Sequence, residues 1–423
     1  MKRVVVVPFA SRLHGELYYS SVYDVLRSHI LRAGVNVKVL PPVTDNEDIE
    51  SLARENSDAV PVFAVLTGGT SRLMRKFASV ANYGVVLFLA HGEHNSLPSA
   101  ISARVKMSMA GIKTWLLHCR EVGSVECPNK IWRAVNIAEA IASLLNSRVL
   151  LIGPYAEKPE NAEDFEKRFN SVVDVMTVNE LTSMLESARS DYVEHFLRTF
   201  ENAEHKLLKN KLIEVAKLYA VIRSVFEERN YDGAALDCFP YLIKHGVTPC
   251  LALSLLNAEG LVIACEGDLV ALTLMLISKK LSGVSGWIAN ASMFEDRKAY
   301  FAHCTIALNM IKNPVILSHF ESGYPYSITG ELKNNTYTIT SLSPDYSTMI
   351  ASLGRLVESG MLHESMCRTQ AVIDLNLRTE EIPMVAVSNH HVLIPGDVRE
   401  ELRIIASLLG INYAEYRDLI KTT

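Results

Sequence analysis

The chain has 423 residues, a formal net charge of −5, 49% hydrophobic and 21% charged residues, enough length for two or three domains of about 150 residues each. No dense Lys/Arg run supplies the basic surface that nucleic-acid phosphates require, so such a partner is not expected; the short basic stretch from Arg72 to Lys76 reads as a solvated helix face. The N-terminus lacks a signal-peptide pattern and the longest later apolar run, Leu269 to Ile277, is too short to span a bilayer, which points to a cytoplasmic protein without a membrane partner.

In chain order, Val4 to Val7 is a β-branched run that predicts a buried strand. Leu17 to Ala33 has helical spacing, with Tyr18, Val22, Leu26 and Ile30 on one stripe. Strands follow at Val35 to Leu40, Ala59 to Thr67, Gly84 to Ala90 and Lys113 to His118, with a short helix from Ile49 to Glu55. Strands separated by helices predict a parallel, doubly wound sheet. A second α/β region begins near Asn129. A helix from Ile131 to Leu145 leads into a strand, Arg148 to Gly153, then a Lys/Glu-rich stretch with two helices. A long helix from Leu207 to Arg229 precedes the strand Gly233 to Leu236. A helix from Leu251 to Leu256, a strand from Val262 to Cys265 and a helix from Leu269 to Leu281, closed by Gly283, complete it. Beyond about residue 285 the texture turns β-rich, in segments such as Thr336 to Thr340 and Met384 to Val387, before a helix from Arg399 to Leu409. The expected fold is therefore α/β, with two Rossmann-like doubly wound domains, 1–125 and 126–285, followed by a β-rich, barrel-like domain with a terminal helix, 286–423. The seven cysteines form no CxxC pair. Their odd number and apolar neighbours predict reduced, core-filling thiols and not a disulfide framework.

Two acids, Glu266 and Asp268, fall at a strand-to-helix junction, where open α/β sheets bind ligands. They can hold a hard cation or move protons, although Asp268 is equally placed to cap the following helix. His303 lies near a predicted strand, and His390 and His391 follow another. Neutral imidazole ligates divalent transition metals. Adjacent strand residues face opposite sides, so one of the pair is expected to reach a shared site. Asp237, and Glu321 beside His319, stand at further strand ends. The chain has no Walker lysine after Thr67-Gly68-Gly69-Thr70, no GxGxxG after the first strand and no GxSxG, which disfavours a P-loop enzyme, a nicotinamide dehydrogenase and an α/β-hydrolase.

Several segments together resemble the L-fucose isomerase and L-arabinose isomerase family, in particular its shorter fucose isomerase-like members. They are Asp237-Cys238-Phe239-Pro240 with Thr248-Pro249-Cys250, Ala264-Cys265-Glu266-Gly267-Asp268, Ala302-His303-Cys304-Thr305 with His319-Phe320-Glu321-Ser322-Gly323, and Asn389-His390-His391-Val392. Thr67-Gly68-Gly69-Thr70 and Asn95-Ser96-Leu97-Pro98 extend the resemblance to the N-terminal half. It implies two Rossmann-like units and a β-barrel-like domain, a divalent metal (most often Mn2+) and interconversion of an aldose and a ketose. It also implies a homo-oligomer, commonly a hexamer. Glu266 then matches the family's ligand glutamate, the late histidine is His391 or His390 with His391 favoured, and His303 is an additional ligand. The second carboxylate should fall where this chain has Asn290, whose amide can offer a carbonyl oxygen to a metal but is no proton base. Glu266 would then also carry the proton, Asp237, Asp268 and Glu321 are the candidates for the second acid–base group, and Asn95, Ser96, Asn290 and His319 are expected around the sugar. Another metal-dependent carbohydrate enzyme, or a non-catalytic sugar-binding or regulatory protein, are the competing expectations, and the missing carboxylate favours them.

Overall fold

The structure is a computed structural model that describes residues 4–32, 37–47, 49–201, 203–205 and 211–420. The chain forms two compact units, one of Met1–Ser143 with Glu401–Ile411, the other of Leu144–Glu400 with Asn412–Thr423.

The first unit alternates β1 (Val4–Phe9), α1 (Glu16–Arg32), β2 (Val37–Val39), α2 (Ile49–Glu55), β3 (Val60–Val65), α3 (Ser71–Ala81), β4 (Val85–His91), α4 (Ser96–Met109), β5 (Lys113–Cys119) and α5 (Cys127–Ala142). All pairings are parallel and the order is β2-β1-β3-β4-β5, a doubly wound sheet. β1 and β3 are buried along their whole length, which is why they read as continuous apolar runs: helices cover both faces. The α1 stripe runs through Tyr19, Val22, Leu26 and Ile30, so it is Tyr19, not Tyr18, that enters the core. The predicted boundaries at Ala33 and Val35 lie outside the described residues.

In the second unit, β6 (Arg148–Gly153), α6 (Glu160–Phe169), β7 (Val172–Thr177), α7 (Val178–Ser183), α8 (Ser190–Thr199), the two-residue β8 (Glu204–His205), α9 (Leu212–Arg229), β9 (Gly233–Leu236), α10 (Cys238–His245), α11 (Cys250–Ala258), β10 (Ile263–Cys265) and α12 (Leu269–Ser282) follow one another. The predicted start of the long helix at Leu207 lies outside the described residues. The parallel sheet runs β10-β9-β6-β7. The chain leaves β6 towards β7 and returns on its other side as β9, so the carboxyl ends of β6 and β9 flank a crevice where ligands gather in such sheets.

The remaining strands are β11 (Trp287–Glu295), β12 (Lys298–His303), β13 (Ile311–Ser318), β14 (Pro325–Leu332), β15 (Thr336–Leu342), β16 (Thr348–Gly360), β17 (Thr369–Asp374), β18 (His390–Pro395) and β19 (Asn412–Glu415), with helices α13 (Ile382–Val385), α14 (Arg399–Leu409) and α15 (Tyr416–Leu419) among them. The order β15-β18-β11-β12-β17-β16 closes through a β15–β16 pairing into a six-stranded antiparallel barrel, and β19 adds in parallel to β16. β13 and β14 form a separate hairpin joined by β8. The barrel has no unpaired edge inside its ring, and its interior side chains, among them Trp287, Phe301, Ile339, Ile373 and Leu393, share one core with the second sheet. This is the α/β architecture expected, with two Rossmann-like sheets and a terminal barrel.

Two readings need correction. Met384 to Val387 is not a strand: α13 spans Ile382–Val385 with proline in its first turn, where a preset φ favours a helix and the missing N–H is no loss. The cysteines are not all thiols either. Cys119 at the end of β5 and Cys127 at the start of α5 form a disulfide, with 5.2 Å between their Cα atoms. A short loop turns the chain back on itself there, and a spacing of eight residues carries no motif that announces it. No helix among the described residues is long and apolar enough to cross a membrane.

Candidate metal centre

Three residues carry the chain from β10 into α12. Glu266 and Gly267 both take positive φ, 58° and 65°, a conformation that costs a non-glycine residue about 1–2 kcal/mol. The turn is also tight: a Cβ on Gly267 would lie 3.3 Å from Tyr155 Oη and 3.4 Å from Asp237 Cβ. Tyr155 follows β6 and Asp237 follows β9, so the carboxyl ends of three neighbouring strands meet around Glu266.

The next residue, Asp268, uses both carboxylate oxygens. Oδ1 accepts the Ala271 N–H at 2.8 Å and caps α12. Oδ2 lies 2.7 Å from His390 Nδ1, so His390 donates through Nδ1 and turns Nε2 away. That Nε2 sits 3.4 Å from Glu266 Oε2, and His303 Nε2 sits 3.2 Å from Oε1. Neither contact has hydrogen-bond alignment: both ring nitrogens of His303, and Nε2 of His390, are buried with no hydrogen-bond partner. Glu266, His303 and His390 each present a ligand atom within 4.8 Å of the others.

Leaving a buried polar atom unsatisfied costs about 1–3 kcal/mol. Two such atoms, Nε2 of His303 and Nε2 of His390, flank the Glu266 carboxylate and are accounted for if a cation takes them as ligands. Two imidazoles and a carboxylate suit a divalent transition metal, and an Asp behind a ligand histidine is the usual way to fix its tautomer. The electrostatics of the metal-free cluster agree. Burial alone would raise Glu266, but the imidazoles of His303 and His390 outweigh it and hold the carboxyl well below its ordinary range. Burial alone would lower His390, but its contacts with Asp268 and Glu266 lift it to about 9. A metal ion bound at His390 Nε2 would therefore displace a proton.

The β11–β18 ladder sets His390 opposite Asn290 and His391 opposite Ala289. The two histidines thus face opposite sides of the strand. It is His390 that meets Glu266. His391, favoured from the sequence, packs against Phe301 with ring centroids 5.6 Å apart and bonds the Tyr416 hydroxyl at 2.7 Å. Burial pushes it down to about 4. Asn290 stands beside His390, with its Oδ1 accepting from Asn389 Nδ2 at 3.2 Å.

Asp237 is raised, first by burial and then by the charge of Glu266. Tyr155 is raised by burial and by Asp237. His319 is buried, and its Nδ1 meets the Ser322 hydroxyl at 3.1 Å. Burial would lower it, but Cys304, Glu321 and Glu266 raise it on balance. Glu321 is exposed on the turn between β13 and β14. Asn95 and Ser96 belong to the first unit. Asn95 is exposed, whereas the buried Ser96 hydroxyl is spent on the Val65 carbonyl and the His91 N–H. Sequence reasoning did not find Tyr155, which no motif marks, nor the bond from Asp268 to His390, which joins residues far apart in the chain.

No family model matches the chain. It is similar to the sulfoquinovose isomerases of Priestia aryabhattai and Priestia megaterium (strain ATCC 12872 / QMB1551), with 20% identity over 310 residues that cover 68% of this chain and 68% of each relative. This is a distant similarity to a sugar isomerase.

Proposed function

We propose that the protein is a metal-dependent isomerase that interconverts an aldose and its ketose through an enediolate, as the resemblance to fucose and arabinose isomerases implies. The observation that supports it best is the convergence on Glu266 of buried, unbonded imidazole nitrogens from His303 and His390. The distant similarity to sulfoquinovose isomerases supports the reaction class.

Glu266, His303 and His390 would hold the metal, Mn2+ in the first instance, with the carbonyl oxygen of Asn290 available beside them. A bound dication supplies positive charge that favours the enediolate. Asp268 keeps the proton on His390 Nδ1 and so holds the Nε2 lone pair towards Glu266. Asp237 is the group that moves the proton between C1 and C2. Its pKa, raised by burial and by the charge of Glu266, makes it a better proton acceptor than an ordinary aspartate, a task for which Glu266, held low by two imidazoles, is poorly suited. Tyr155, kept protonated, and His319 donate to sugar oxygens. Asp268, with both oxygens committed, is a positioning residue.

The test is to incubate the Mn2+-loaded protein in D2O with sulfoquinovose, L-fucose, L-arabinose and the corresponding ketoses, and follow isomers by NMR. Interconversion with deuterium entering C2, lost in Asp237→Asn while metal binding persists, is the expected result. No isomer from any sugar with Mn2+, Co2+ or Zn2+ overturns the reading. A second reading, another metal-dependent proton transfer or carbon–carbon cleavage on a sugar, rests on Asn290 in place of a carboxylate. Shorter carbon products in the same spectra would favour it.

A further inference from the structure

In the first unit, α3 and α4 flank a cleft of about 550 Å3. Arg72, Arg75 and Lys76 line it from α3, Lys106 lines it from α4, and Asn82 and Tyr83 stand at the end of α3. From the sequence alone the α3 cations read as a solvated helix face. The tertiary structure sets a fourth cation, Lys106 of α4, on the other wall.

Ordinary surface electrostatics do not account for the arrangement. Positions i, i+3 and i+4 share one side of a helix, and like charges there weaken it. The usual remedy is a carboxylate nearby, yet neither α3 (SRLMRKFASVA) nor α4 (SLPSAISARVKMSM) contains an acidic residue. Among the described residues none of the four cations pairs with a carboxylate; the Arg75 guanidinium bonds only the Ser71 carbonyl of its own helix, at 3.4 Å. Arg75 and Lys76 are half-buried, so part of their hydration is already lost. The cleft is also firm. Tyr83 is buried and its hydroxyl donates to the Asn56 carbonyl at 2.8 Å, and its ring stacks on Phe77. All this occurs in a chain whose net charge is −5, so the cations are concentrated here against the overall sign.

We propose that this cleft binds a small polyanion, a metabolite carrying at least two phosphate or comparable oxyanion groups. Its volume falls in the range of about 300–1,000 Å3 of small-molecule sites. Two guanidiniums offer forked donors that match oxyanion geometry, and two ammonium groups add charge from both walls. A single phosphate would leave part of this charge uncompensated. A nucleic acid would need a longer basic track than two helices supply.

The probe is inorganic tripolyphosphate, titrated calorimetrically into the full-length, metal-free protein at low salt. Saturable binding to one site is expected, weakened at least roughly tenfold, the loss of about one charge-assisted contact, in Arg75→Gln/Lys76→Gln. Lys106→Gln, an exposed change on the other helix, should weaken it as well and decides the matter if the double variant unfolds. Glu266→Gln should leave it unchanged, which separates this site from the metal centre. Monophosphate should bind at least about tenfold more weakly than tripolyphosphate. Parallel titrations with a nucleoside triphosphate and a sugar bisphosphate distinguish the two natural sources. Absence of saturable binding, binding that survives both cleft variants, or equal affinity for mono- and tripolyphosphate overturns the proposal.

Discussion

Each of the two units buries histidine, the first at the end of a parallel strand and the second on the barrel strands β12 and β18, and they treat it in opposite ways. In the first unit His91 ends β4 at 4% exposure. Its Nε2 meets the Leu66 carbonyl at 3.0 Å, its Nδ1 accepts the Glu93 N–H at 3.3 Å, and burial lowers its pKa. Every ring nitrogen has a partner and the imidazole is a neutral structural strut. In the second unit His303 and His390 are as deeply buried, yet three of their four nitrogens are unbonded, and His390 is driven towards the charged form. Burial of a histidine therefore says little about function. The signal is burial without satisfaction, because a fold gains nothing from an orphaned nitrogen unless a ligand completes it.

The contrast can be broken or sharpened by experiment. The largest effect is expected at Glu266. Saturating Mn2+ at about a hundred times its Kd should stabilise the wild type by about 2.7 kcal/mol, read from thermal melts. Glu266→Gln should gain almost none and lose turnover, and chelation should do the same to the wild type. A variant still stabilised by Mn2+ would remove Glu266 from the centre.

The two histidine classes should next differ in the sign of their pH dependence. His390 has a folded-state pKa of about 9 against about 6.5 unfolded. Its contribution is complete below pH 6.5 and is lost as pH rises through 9, about 3 kcal/mol in the metal-free protein. His91 is shifted the other way, so its contribution is lost as pH falls below 6.5. Urea unfolding across this range should show the alkaline loss vanish in His390→Gln and the acid loss shrink in His91→Gln. An unchanged alkaline limb would contradict the His390 assignment.

Asp268→Asn is expected to weaken metal binding about 10–100-fold with little loss of helix stability, since Asn caps as well as Asp does. Equal affinity would make Asp268 a cap and nothing more. The smallest effect belongs to His91→Gln at neutral pH, about 1–2 kcal/mol of stability and no change in Mn2+ affinity. A metal defect there would dissolve the distinction between the two regions.

Much of the centre was legible in the chain. Glu266 follows an apolar strand and precedes an apolar helix, which is enough to place it at a strand-end turn. The His390-His391 pair must split between two faces because a strand alternates. Which face is which was not legible. It depends on a register that pairs Asn290 with His390, and one step of slippage would exchange the two histidines.

By itself, then, the sequence determined the succession of helices and strands, two parallel sheets, a β-rich end and a Glu/His set suited to a metal. These follow from periodicity and side-chain chemistry, which are local properties. The tertiary structure alone decided that His303 and His390, not His391, meet Glu266, that Asp268 holds His390, that Cys119 and Cys127 join, and that Lys106 faces the α3 cations. The disulfide depends on how one short loop folds back on itself; the others depend on barrel closure, strand register or helix packing between segments distant in the chain, and no local pattern encodes such distances.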